Sequence, residues 1–201
     1  MTGSVTAVVL AAGAAERMGE PKLLLALRGT TVLNATIAAV EMSRADRVIV
    51  VTGANAEHVE ESIDASRATT VRNPDYRRGN MSSFLTAAEA DPEADAFVLI
   101  PGDMPEIQTD VIDAIVDLWR EREPWAAVTA YSDRTAHPFL VSDEAVAELR
   151  ASTGEKVLGR VLIDRADRRV VPLDVSSTAP RDVNTREEYE ALLAEPPDER
   201  R

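Results

Sequence analysis

Val5-Thr6-Ala7-Val8-Val9-Leu10 runs directly into Ala11-Ala12-Gly13-Ala14-Ala15-Glu16-Arg17-Met18-Gly19-Glu20-Pro21-Lys22, and this stretch decides the fold. Five of its first six residues are apolar, which predicts a strand buried on both faces, as in a sheet covered by helices on both sides. The small residues that follow predict a loop at the strand's carboxyl end, where backbone N–H groups can approach a phosphate closely. The glycines do not fit the dinucleotide fingerprint G-x-G-x-x-G, and no G-K-[ST] marks a P-loop. Two cations, Arg17 and Lys22, flank the loop instead.

The same rhythm continues outward. Arg47–Val51, Thr69–Val71, Phe97–Ile100 and Ala127–Tyr131 read as further strands. Between them, Leu33, Ile37 and Val40 line one helical face, Val59 and Ile63 a second, and Val111, Ile115 and Leu118 a third. Strands alternating with amphipathic helices predict a mostly parallel, doubly wound α/β sheet with ligands at the carboxyl ends of the strands. After Tyr131 the alternation breaks. Pro138–Val141 reads as an added strand, Glu155–Ile163 as a helix and Val170–Val171 as a short strand. Thr185 followed by Glu188 has capping-box spacing and opens a last helix carrying Tyr189 and Leu192. The length suits one domain, 1–195, with a charged, Pro-rich tail at 196–201 that frays.

Composition narrows the function. With 45% hydrophobic and 28% charged residues the chain is globular in type. Its formal net charge of −13 excludes a broad nucleic-acid surface, which needs a positive footprint. The absence of cysteine excludes disulfides, thiolate catalysis and cysteine metal sites. No apolar run reaches membrane-spanning length, and Val5 to Ala15 lacks the basic leader of a signal peptide, so the expected location is the cytoplasm. Only two lysines, Lys22 and Lys156, stand among 22 basic residues. Retention of lysine at position 22 points to a compact ammonium where a forked guanidinium would not fit.

The thirteen residues Leu10–Lys22 resemble the signature L-A-[AG]-G-x-x-x-R-[ML]-G-x-x-K of the MobA-like nucleotidyltransferases, matching it at every fixed position. The resemblance implies a Rossmann-like, three-layer αβα domain that attaches CMP or GMP to a molybdopterin-type cofactor. It implies nucleotide binding by Leu10, Ala11, Ala12, Gly13 and Lys22, with Arg17 and Lys22 acting on the triphosphate. Ile100-Pro101-Gly102-Asp103-Met104-Pro105 matches the family's G-D-x-P, whose aspartate ligates Mg²⁺; a carboxylate at a strand's end suits that ion. Asp182-Val183-Asn184-Thr185 resembles the family's [DN]-[IV]-[DN]-T, which returns to the metal through Asn184 first and Asp182 second. Asn73, Gly79 and Ser83 lie in a segment resembling a loop that contacts the nucleotide, although Ser82 or Ser83 would cap the following helix in any fold.

The later part resembles an acceptor site. His137-Pro138 matches the G-H-P segment of the cytidylyltransferase branch, with Ala136 in place of glycine. Gly154-Glu155-Lys156 resembles G-[DE]-[KR]-G, with Val157 replacing the second glycine. Lys156 and Arg160 fall one helical turn apart, suited to an acceptor phosphate. His58 belongs to no motif and reads as surface. The expected reaction is Mg²⁺-dependent transfer of CMP from CTP to the acceptor's phosphate, with a molybdoenzyme or its chaperone as a further partner. GTP or a sugar phosphate are the alternatives within this fold. Ala12 gives L-A-A-G, the cytidylyl form, where the guanylyl branch has L-A-G-G. A nicotinamide-dependent oxidoreductase is the rival class, and the missing G-x-G-x-x-G counts against it.

Overall fold

The computed structural model describes residues 3–14, 18–151 and 169–194. Arg17, the expected helix Glu155–Ile163 with Lys156 and Arg160, and the tail 196–201 lie outside the described residues. Nine strands are present among the described residues: β1 (Val5–Ala11), β2 (Ala26–Leu27), β3 (Thr30–Thr31), β4 (Arg47–Thr52), β5 (Ala68–Arg72), β6 (Ala96–Pro101), β7 (Ala126–Ala130), β8 (Thr135–Ser142) and β9 (Val170–Asp174). Seven of them form one sheet in the order β5-β4-β1-β6-β8-β7-β9. β1 lies parallel between β4 and β6, with Ala7 opposite both Val48 and Val98.

The α-helices described are α1 (Val32–Glu41), α2 (Ala56–Ser62), α3 (Asn80–Ala90), α4 (Thr109–Arg122), α5 (Asp143–Ala151) and α6 (Arg186–Ala194). The alternation of β1 builds two cores. Val5, Ala7 and Val9 pack with Leu33 and Ile37 of α1 and Ile112 and Ile115 of α4. Val8 faces the other way, with Phe84 of α3 and Val146 and Leu149 of α5. Each of the larger of these side chains, Val, Leu, Ile or Phe, contributes about 1.5–3 kcal/mol when fully buried. The outcome is the expected α/β single domain with helices on both faces. α4 buries Val111, Ile112, Ile115, Val116 and Trp119, so its inner face is wider than the spacing of Val111, Ile115 and Leu118 implied. β5 is an edge strand and half-exposed.

The sheet is mixed where the rhythm broke. β8 pairs antiparallel with both β6 and β7, and so separates two strands that a simple doubly wound order would place together. β9 then adds parallel to β7. The small β2–β3 hairpin was not expected. It turns through Arg28 and Gly29 at φ of 50° and 88°, the left-handed pair that a tight hairpin turn requires.

Candidate functional site

The carboxyl ends of β1, β4 and β6 open on one side of the sheet, and the first loop leaves β1 there. Ala54 N–H donates to Ala12 O at 3.1 Å, and Gly102 N–H donates to Leu10 O at 2.9 Å. The loop is thus tied to the ends of both neighbouring strands. Ala11 and Ala12 are buried, whereas Gly13 is exposed, and a Cβ added to Gly13 would meet no atom within 4 Å. Packing within the protein does not itself demand glycine there, and the open space leaves the loop backbone accessible.

Pro21 leads into a single 3₁₀ turn, Lys22–Leu24, that aims the Lys22 side chain inward. Its ammonium pairs with the Asp103 carboxylate and donates to Asn184 Oδ1 at 2.9 Å. Both side chains of the ion pair are mostly buried, 15% and 14% exposed. Asp103 directly follows Gly102, beyond the end of β6. Its carbonyl accepts from Val183 N–H at 2.9 Å, which brings the Asp182–Thr185 segment onto the strand end. Burial first, and then the charge of Asp103, raise the pKa of Asp182. Three residues separated widely in sequence, Lys22, Asp103 and Asn184, therefore meet as expected, with Asp182 alongside.

The segment leading to Asn184 is held along its length. Ala179 N–H donates to Asp133 Oδ1 at 2.8 Å, and Arg134 donates to Pro180 O at 3.0 Å. Arg181 grips Glu106 through two bonds of 3.1 and 3.2 Å. The capping box then starts α6: Glu188 accepts from the N–H groups of Asn184 and Thr185, and Thr185 Oγ1 accepts from Glu188 N–H. Arg181, Glu106 and Arg134 carried no motif. Their role comes from pairings of surface charges that spacing does not disclose.

The donor set suits a hard divalent cation. Two oxygens, on Asp103 and Asn184, converge within reach of one ammonium. Among the described residues there is no group of three His, Cys, Asp or Glu that could hold a metal alone. Magnesium is characteristically held by one or two protein oxygens, with phosphate and water completing the octahedron. The residues fit such an ion shared with a triphosphate.

Asn73 and Ser83 are both buried and bonded to each other. The Asn73 amide donates to Ser82 Oγ and Ser83 Oγ, both at 3.0 Å, and its oxygen accepts from Asp75 N–H at 2.9 Å. Asn73 thereby shapes the loop between β5 and α3. Neither serine caps α3: the N-cap is Gly79 at φ 93°, and Ser82 Oγ instead bonds Gly79 O at 2.8 Å. The reason is that α3 begins at Asn80, so both serines already lie inside the helix, where Asn73 bonds their hydroxyls. Tyr76 in the same loop abuts Gly53. A Cβ added to Gly53 would lie 2.6 Å from Tyr76 Cβ and 2.8 Å from the Ala12 methyl.

His137 stands on β8 before a cis peptide to Pro138. Its Nδ1 is 3.2 Å from Leu99 O, and its ring stacks on Phe139 at 4.1 Å. A carbonyl only accepts, so Nδ1 carries the proton. Burial pushes the imidazole pKa down to about 4, against the Leu99 carbonyl and the Asp103 charge, and the ring is neutral near pH 7. His58 is exposed, as expected.

A small-residue loop at the end of a central strand, with Lys22, Asp103 and Asn184 gathered beside it, is an arrangement that suits a nucleotidyltransferase. Residues 7–170 match the MobA-like NTP transferase domain, and the chain belongs to that family. Molybdenum cofactor cytidylyltransferase of Escherichia coli (strain K12) is 31% identical over 140 residues, 69% of this chain and 70% of that protein. Among solved structures, Rv0371c from Mycobacterium tuberculosis H37Rv is 29% identical with a TM-score of 0.84, covering 97% of this chain and 100% of that one. A manganese complex of Rv0371c is 30% identical with a TM-score of 0.77, covering 94% and 98%. The chain is thus an enzyme acting between a nucleoside triphosphate and a phosphorylated acceptor, in a class that works with a divalent metal. Among the described residues no helix is long and apolar enough to cross a membrane.

Proposed function

We propose that this enzyme transfers CMP from CTP to the terminal phosphate of a molybdopterin-type acceptor, releasing pyrophosphate. The observation that carries the reading is the Lys22 ammonium held between Asp103 and Asn184 beside the first loop. Similarity to the Escherichia coli cytidylyltransferase supports the choice of CTP and of the acceptor. An acceptor phosphate oxygen forms the new bond to the α-phosphorus, the α–β bridging bond breaks, and its electron pair leaves on pyrophosphate. The nucleophile is already anionic, so no strong general base is required. Mg²⁺ held by Asp103 and Asn184 would supply charge neutralisation and Lewis-acid polarisation of the α-phosphoryl group.

The chain's own residues position and neutralise. Lys22 and Arg17 place positive charge at the triphosphate, in a chain that is otherwise strongly acidic. Backbone N–H groups around the exposed Gly13 accommodate its oxygens. Neutral His137 orients the acceptor by hydrogen bonding rather than by charge, and Lys156 and Arg160 bind its phosphate. The test is release of pyrophosphate from each of the four NTPs with Mg²⁺ and a molybdenum-cofactor acceptor. Release from CTP that depends on the acceptor is the expected result; no release from any NTP rules the reaction out.

A further inference from the structure

α1 contains one fully buried hydroxyl, that of Thr36, in a helix that also buries Leu33, Ile37 and Val40. A threonine inside a helix ordinarily returns its hydroxyl to the carbonyl four residues back. Thr36 Oγ1 does lie 3.2 Å from Val32 O. It lies equally close, 3.1 Å, to the carbonyl oxygen of Gly102, 66 residues away. Both neighbours are acceptors and the hydroxyl has one proton. The Val32 carbonyl already takes part in the helix's own ladder. Gly102 is buried one residue beyond β6, where its N–H still bonds Leu10 O of β1 while its carbonyl meets Thr36, so the hydroxyl is positioned to serve that carbonyl.

We propose that Thr36 is a positioning residue for Asp103, fixing the peptide plane from which the metal-ligating carboxylate projects. This rests on the nucleotidyl-transfer reading of Asp103. The Gly102 carbonyl and the Asp103 nitrogen share one rigid plane, so holding the oxygen sets the direction in which Asp103 leaves β6. Other contacts fix the flanks. Gly102 N–H is bonded to Leu10 O at 2.9 Å, and Asp103 O accepts from Val183 N–H at 2.9 Å. A Cβ on Gly102 would come within 3.0 Å of Leu33 Cδ1 and 3.2 Å of Leu10 O, so the backbone lies tight against α1. With the flanks held, rotation of this one plane is the freedom that remains, and Thr36 removes it. Outer partners of a metal ligand act in this way, and their loss weakens metal binding or activity by about 10–100-fold.

Thr36→Val keeps the shape and deletes the hydroxyl, Thr36→Ala deletes hydroxyl and methyl, and Thr36→Ser keeps the hydroxyl alone. Free Mn²⁺ is followed by electron paramagnetic resonance during titration into each protein with CTP, alongside kcat, KM and melting. The expected result is that Val and Ala weaken Mn²⁺ binding and lower kcat, each by about tenfold or more, while Ser stays within about twofold. A role confined to packing would lower melting and leave Mn²⁺ binding as it was. Mn²⁺ binding by the Val or Ala variant equal to that of the unmodified protein overturns the proposal, as does a Ser variant that falls with them. Should the unmodified protein bind Mn²⁺ with CTP yet release no pyrophosphate, the transfer reading fails separately, and the Mn²⁺ comparison still decides the role of Thr36.

Discussion

Lys22 Nζ donates to Asn184 Oδ1 across 2.9 Å, although 162 residues separate them in the chain. The contact joins the two ends of the fold at one point, because Lys22 follows the first loop and Asn184 precedes the last helix. The same ammonium pairs with Asp103, just beyond the end of β6. A positive point charge therefore sits at the oxygens that also suit a divalent cation. Nucleotide phosphates, the ammonium and the metal would share one small, mostly buried space, where electrostatic interactions exceed their strength in water.

Lys22→Arg tests the need for a point charge. The ammonium reaches two oxygens from one compact centre, whereas a guanidinium spreads its donors over a planar fork. With the side chain only 15% exposed, little room exists to accommodate the fork. The expected loss in kcat/KM is at least about tenfold, or about 1.4 kcal/mol. Full activity in this variant would show that only the charge matters.

Asp103→Asn separates the carboxylate's charge from its shape. The amide can still accept from Lys22, so the hydrogen-bond network should survive, with some loss of melting temperature because the mostly buried ammonium loses its counter-charge. Turnover at saturating Mg²⁺ should fall by at least about a hundredfold, about 2.7 kcal/mol. Relief of Asp182 is a second readout: its raised pKa owes part of its shift to the Asp103 charge, and that part disappears in the variant. Substantial turnover by Asp103→Asn would remove the carboxylate from the mechanism.

His137 predicts a pH dependence with a definite sign. Its pKa is lowered in the folded protein from 6.5 to about 4. Between those values the unfolded chain binds the proton and the folded one does not, so stability falls as pH drops through this window and is complete above it. Replacing the ring by Gln removes that term. The difference in unfolding free energy between His137→Gln and the unmodified protein should therefore change between pH 6.5 and 4 and stay flat above. A difference constant over the whole range would mean that the ring is ordinary in its titration.

Much of this was legible in the sequence. The apolar run Val5–Leu10, the small-residue loop and the isolated lysine placed the central strand and the loop that follows it, because each feature is local. The capping box at Thr185 and Glu188 was legible for the same reason. The insertion of β8 between β6 and β7 was not, since periodicity identifies strands and not their neighbours. α5 went unrecognised although Ala145, Val146 and Leu149 have helical spacing; the pattern is short and follows β8 without a break. The two-residue strands β2 and β3 are too brief for alternation to register. Thr36 and the Arg181–Glu106 pair have no sequence signal, because their partners are 66 and 75 residues away.

On the proposed cytidylyl reading, the wall formed by Ala12, Gly53 and Tyr76 is where the choice of nucleotide is tested. Ala12 is only 5% exposed, and its methyl faces Gly53, with Tyr76 packed on the same glycine. If Ala12 influences the base, as proposed, its buried methyl would do so by holding this wall in position rather than by projecting into open space. Ala12→Gly loosens the wall, and Gly53→Ala crowds it, since the added methyl would lie 2.6 Å from Tyr76 Cβ. Crowding of this kind costs about 1–3 kcal/mol of stability. Discrimination through one such contact is about 10–200-fold at most, so other residues share it. CTP should therefore exceed GTP in kcat/KM for the unmodified enzyme. Ala12→Gly should narrow the ratio without inverting it, and Gly53→Ala should lower melting and raise the KM for both nucleotides through displacement of Tyr76. Measured kcat/KM values for CTP and GTP in the three proteins decide the matter: a preference for GTP, or none, in the unmodified enzyme defeats the cytidylyl assignment while leaving nucleotidyl transfer in place.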